Sequence, residues 1–78
     1  FLLLQRYQEA LKEYNEALNL DLQDAESWQN KGTALIHRQQ YSEALASSEK
    51  ALQIDPELAV AQQNKIAALK EIQNEKRK

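Results

Sequence analysis

Cysteine and methionine are absent from this chain of 78 residues, and glycine and proline occur once each, as Gly32 and Pro56. Without cysteine there is no disulfide and no thiolate chemistry, and the redox compartment stays open, with a cytoplasmic setting as the default expectation. Strand-rich domains need turn residues roughly every 8 to 12 positions, and two such residues cannot supply them. Long apolar runs are missing too. The longest, Phe1 to Leu4, falls far short of the roughly 20 residues that span a bilayer, so no membrane partner is expected. It also lacks the charged flank and cleavage pattern of a signal peptide. Neither sign of charge dominates: the net charge is −2, with both signs interleaved. That argues against nucleic acid as a partner, which calls for basic residues gathered on one face. The basic tail, Lys76-Arg77-Lys78, suits the negative end of a helix dipole.

Catalytic constellations are equally scarce. His37 is the lone histidine, so no redundant metal-ligand set or Ser/His pairing can be built. Ser42, Ser47 and Ser48 have no second histidine beside them, and Ser42 reads as a polar residue in a helix's first turn. Asp21 and Asp24 suit turn and cap duty rather than a calcium loop. Gly32 lies inside a helical pattern, not in a phosphate-binding loop. The expectation is a chain with no enzyme activity, no cofactor and no metal.

What remains is rich in Ala, Leu, Glu, Gln and Lys, all strong helix formers, and the class expected is all-α. Displacing the chain against itself by 34 positions aligns identical residues throughout. The pairs include Gln5/Gln39, Tyr7/Tyr41, Ala10/Ala44, Leu11/Leu45, Ala17/Ala51, Asp21/Asp55, Gln29/Gln63, Asn30/Asn64, Lys31/Lys65 and Leu35/Leu69. Each unit reads as two helices. Ala25, Trp28, Gly32, Leu35 and Ile36 share one face of a helix over 25–38. Tyr41, Ala44, Leu45, Ala51, Leu52 and Ile54 mark a second over 41–54. Asp55-Pro56 reads as a helix start and Asp24 as a cap one unit earlier. Short connections make neighbouring helices antiparallel. Gly32 is expected to face the partner helix of its own hairpin. Ala10, Ala17, Ala44 and Ala51 allow close axes, and Trp28, Tyr7, Tyr14 and Tyr41 fill the larger spaces.

Trp28-x3-Gly32, Tyr41-x2-Ala44, Ala51-Leu52 and Asp55-Pro56 resemble the tetratricopeptide repeat. The resemblance implies antiparallel helix-turn-helix repeats forming a short right-handed superhelical solenoid. It places a partial first repeat at 1–24, a complete repeat at 25–58 and a terminal helix at 59–78. Phe1–Leu4 would end one helix and Tyr7–Leu20 form the next, with Gln5 and Gln39 at the family's turn glycine. Ser48 replaces a large aromatic, which suggests a looser core there, while the stems of Lys31 and Lys65 pack in place of leucine. Ile66 occupies the small-residue position. Pro56 to about Lys76 reads as one long capping helix. The absence of an initiating methionine reads as a fragment of a longer array.

The same resemblance implies a protein or peptide partner held in a concave groove lined by first helices. By position, the groove residues are Glu26, Gln29, Asn30, Thr33, Ile36 and His37, then Val60, Gln63, Asn64, Ala67 and Lys70. Asn30 and Asn64 admit two readings: amides that grip a peptide backbone, or amides that satisfy neighbouring helices. Some family members clamp a C-terminal carboxylate, but Val60 and Asn64 stand where that clamp needs Lys and Arg, so none is expected. The alternative function is a structural or oligomerisation element. In that reading Phe1, Leu2, Leu3 and Leu4, an apolar stub at an uncapped end, join copies of the chain into a homo-oligomer.

Overall fold

The computed structural model describes the backbone of residues 2–76 and the side chains of residues 6–76. Four helices and no strand occur among them: α1 (Leu2–Leu20), α2 (Ala25–His37), α3 (Tyr41–Ile54) and α4 (Ala59–Lys76). Each helix packs on the next across a short link, which requires hairpins of opposed direction. α2 also meets α4, whereas α1 and α3 make no close backbone approach among the described residues. The gap on the α1–α3 side, about 340 Å³, is floored by Lys31 and Leu35 of α2. Leu11, Ala34, Leu35, Ala44 and Ala68 form the core, with Tyr7, Tyr14, Tyr41, Ile36 and Leu45 packed against it.

The links repeat at the same 34-residue step. The Asp21 carboxylate accepts the Gln23 amide at 2.9 Å, and that of Asp55 accepts the Glu57 amide at 3.2 Å. These are Asx turns, in which a short carboxylate replaces a backbone acceptor. Each turn is then tied to the helix that follows it. The Trp28 indole N–H donates to the Leu22 carbonyl at 3.0 Å, and the Gln62 amide donates to the Pro56 carbonyl at 2.7 Å. Trp28 and Gln62 occupy equivalent positions, so two unlike side chains perform one task. Trp28 is accordingly half-buried at the rim rather than filling the interior, with the Lys31 ammonium 5.2 Å from its ring centroid. Both Lys31 and Lys65 are half-buried.

Two expected boundaries move. Gln39 does adopt the left-handed conformation, with φ of 62°. The Gln39 amide donates to the Ile36 carbonyl and the Gln40 amide to the Leu35 carbonyl, both at 2.9 Å, which is a Schellman closure of α2. Gln5, its equivalent, is helical, and α1 runs unbroken through it. The flanking leucines and Arg6 favour helix, and no glycine relieves the roughly 1–2 kcal/mol that a left-handed residue costs. Pro56, expected in the first turn of α4, lies instead in the preceding turn, and the helix begins at Ala59. Asp55 is extended and spends its carboxylate on Glu57 rather than on the amides of α4.

The region around Ser48 is also tighter than expected. Ser48 is fully buried and donates to the Ala44 carbonyl at 2.8 Å. A Cβ placed on Gly32 would lie 3.0 Å from Ser48 Oγ, 3.6 Å from the Ala44 carbonyl oxygen and 3.6 Å from Asn64 Nδ2. Gly32 faces its own hairpin partner and touches the next unit as well. Two small residues let the backbones approach, so the missing aromatic leaves no slack.

Candidate protein-binding face

One side chain hydrogen-bonds α4 to α2. Asn64, on α4, is buried, and its Nδ2 donates to the Gln29 carbonyl at 3.2 Å and to Thr33 Oγ1 at 2.9 Å, both on α2. Thr33 Oγ1 in turn lies 3.3 Å from the Gln29 carbonyl, its i−4 partner. A buried amide with both donors engaged rigidifies the seam, and removing it would leave the half-buried Gln29 carbonyl and Thr33 hydroxyl each one partner short. Of the two readings of Asn64, its geometry matches the one that satisfies a neighbouring helix.

The start of α2 is set by Asp24. Its carboxylate accepts the Ser27 hydroxyl at 2.6 Å and the Ser27 amide at 3.2 Å. The Ser27 hydroxyl first, and the Ser27 amide second, hold the Asp24 carboxyl below the usual aspartate range by favouring its charged form. The expected cap is present. At the other end, His37 closes α2 and stacks on Tyr7 of α1, ring centroids 5.0 Å apart and planes within 2°.

The expected groove residues fall in three groups. Glu26, His37, Val60, Gln63 and Lys70 are exposed; Gln29, Asn30, Thr33, Ile36 and Ala67 are half-buried; Asn64 is buried. Asn30 makes no side-chain hydrogen bond with any described residue. It lines an open pocket of about 250 Å³ with Tyr7, Ala10, Tyr14, Thr33 and His37. Phe1 and the side chains of Leu2, Leu3 and Leu4 lie outside the described residues, as does the tail beyond Lys76. Apolar surface elsewhere is open: Ile66 is 66% exposed and Leu69 38%. Among the described residues no cluster of metal-ligating side chains occurs, and no helix is long and apolar enough to cross a membrane.

Sequence reasoning missed two features. The Gln62–Pro56 bond was open to discovery, because Gln62 stands where Trp28 stands one period earlier. The Ser48–Gly32 contact was not, because the loss of an aromatic reads equally as a void or as closer backbones.

No curated protein and no solved structure gives a significant match to the chain. A family model does: that of the Tetratricopeptide repeat, over residues 25–58. Residues 25–58 thus match one repeat of a family that generally serves protein–protein interaction, and with four helices in successive hairpins the chain is all-α and tetratricopeptide-repeat-like.

Proposed function

We propose that the chain is a non-catalytic interaction module whose α2–α4 face receives an extended peptide or protein segment. The observation that carries this reading is the asymmetry of helix contacts: α2 and α4 lie against each other with Asn64 bonded across them, while α1 and α3 make no close backbone approach among the described residues. Shortening one side of a helical stack relative to the other curves it, and the shortened side becomes the inner wall of a solenoid. Glu26, Gln29, Thr33, Gln63 and Lys70 supply polar partners for a peptide backbone on that wall. Ile36, Val60 and Ala67 supply shallow apolar contact. Asn64 acts by position, holding the two helices in register beneath the ligand. Selection of displayed random peptides against the full chain tests the reading. Enriched peptides should weaken at least fivefold on the exposed variants Gln63→Ala and Val60→Glu. Peptides indifferent to both variants would contradict it.

A second reading, self-association, draws support from Ile66 and Leu69, which lie uncovered on α4. Light scattering across a concentration series tests it. A concentration-dependent dimer that Ile66→Lys abolishes is expected on this reading, and a monomer at every concentration would end it.

A further inference from the structure

A trough runs along α2 on the side away from α4. The hollow of about 340 Å³ between α1 and α3 adjoins another of about 320 Å³ between α2 and α3, and Lys31, Leu35 and Glu43 border both. The floor is one stripe of α2, formed by Trp28, Lys31, Leu35 and Arg38. Leu11 and Asn15 of α1 form one wall, and Ala46, Ser47 and Lys50 of α3 form the other. Gln29 and Thr33, which meet Asn64, lie on the opposite face of α2. Repeat stacking does not fill this trough. A helix added before α1 at the 34-residue step would pack against Ala10, Tyr14 and Asn30, on another face of α1, as α2 packs against Ala44, Ser48 and Asn64. A helix added after α4 would pack on α4, no residue of which borders either hollow.

Charge decides the occupant. The chain is net negative, yet Lys31, Arg38 and Lys50 gather here against Glu43 alone. Lys12 borders the trough too, but shares its other side with Glu9, Glu13 and Glu16. The three cations are half-buried and Glu43 is exposed, so the cations have lost water and gain most from a carboxylate. Trp28, with the Lys31 ammonium 5.2 Å from its ring centroid, and exposed Ala46 supply apolar surface beside them.

We infer that the trough docks an extended acidic segment of a partner protein, with a carboxylate, an apolar side chain and a second carboxylate at alternate positions. Alternate side chains of an extended segment share one face, and the outer two stand about 13 Å apart. Antiparallel packing sets Lys50 level with Trp28, and Arg38 lies about 15 Å further along α2. The apolar side chain then falls on Trp28 and Ala46. A second copy offers no such segment: its Glu9, Leu11 and Glu13 have the spacing but lie within α1, with Leu11 buried. A phosphate backbone would bring negative charge against Glu43 at the middle of the trough.

The probe is a fluorescently labelled peptide, Gly-Glu-Ser-Leu-Ser-Glu-Gly, titrated into the full chain at low ionic strength. Saturable binding that weakens as salt is added is expected. Arg38→Gln and Lys50→Gln should each weaken it about fivefold. Glu43→Gln should strengthen it about twofold. Circular dichroism of each variant verifies that it folds. A peptide of the same composition with its two glutamates adjacent should bind more weakly. Amide chemical-shift changes should centre on Lys31, Leu35 and Ala46. Changes centred on Val60 and Gln63 would place the peptide on the α2–α4 face and would overturn the proposal. Absence of saturation, binding indifferent to Arg38→Gln, or equal binding of the rearranged peptide would overturn it too. So would tighter binding of an oligothymidylate of equal charge, which would assign the trough to a phosphate backbone. A concentration-dependent dimer of the chain that Arg38→Gln abolishes would overturn it in favour of a second copy.

Discussion

Between α3 and α4, the residues Ala44, Ser48 and Asn64 close around Gly32. One repeat step earlier, Ala10, Tyr14 and Asn30 border open space. Alanine and asparagine are common to both places, and the third residue differs, Ser48 against Tyr14. The places differ too in whether a first-type helix lies alongside among the described residues. A repeat unit cannot bury its own face, and each side chain acquires a role only when its neighbour arrives. Asn64 is structural because α2 is there to receive it, whereas Asn30 makes no side-chain hydrogen bond among the described residues.

The largest expected effect breaks the occupied step. Gly32→Leu forces a side chain against the fully buried Ser48 and should cost about 3 kcal/mol or more in urea unfolding. Ile66→Ala, at the equivalent position on exposed α4, should change stability by less than about 0.5 kcal/mol. Comparable losses at the two positions would mean that α4 is packed on both faces. Asn64→Ala should follow at about 1–3 kcal/mol, because two hydrogen bonds between α4 and α2 are lost. Asn30→Ala should stay within about 0.5 kcal/mol of wild type.

Smaller effects sharpen the comparison at the links. Gln39→Gly should stabilise the chain by up to about 1 kcal/mol, since glycine adopts the left-handed conformation at no steric cost. Gln5→Gly, one step earlier but inside α1, should destabilise it by about 0.5–1 kcal/mol. Opposite signs at one repeat position, read as shifts in melting temperature, are the test. The smallest effect concerns Asp24. Its pKa is lowered on folding, so its contribution is full at neutral pH and fades as pH falls through and below the usual aspartate value of about 3.9. Asp24→Ala should therefore melt at a lower temperature than wild type at pH 7, and the gap should narrow in acid. A gap that widens in acid would assign Asp24 another role.

Periodicity and motif made the helices of the complete repeat legible almost to the residue, because apolar spacing and capping residues act locally. Gln5 and Gln39 show where that legibility ends. Identical residues at the same repeat position take opposite conformations: among the described residues Gln39 joins two packed helices, whereas Gln5 lies within α1. The proposed groove positions come from the family resemblance carried along the 34-residue period, whereas the helices beneath them are read from spacing itself. Whether an amide such as Asn30 or Asn64 faces a ligand or a neighbour depends on a contact that one unit's sequence does not contain. Pro56 misled for a related reason: a proline suits a turn and a first helical turn equally, and Asp55 decided between them by bonding Glu57.

Hydrogen exchange of the two side-chain amides compares the occupied and open steps most directly. The Nδ2 protons of Asn64 should be protected from exchange with water, and those of half-buried Asn30 should exchange markedly faster. Equal exchange at the two sites would contradict the assignment of Asn64 as the strut between α2 and α4.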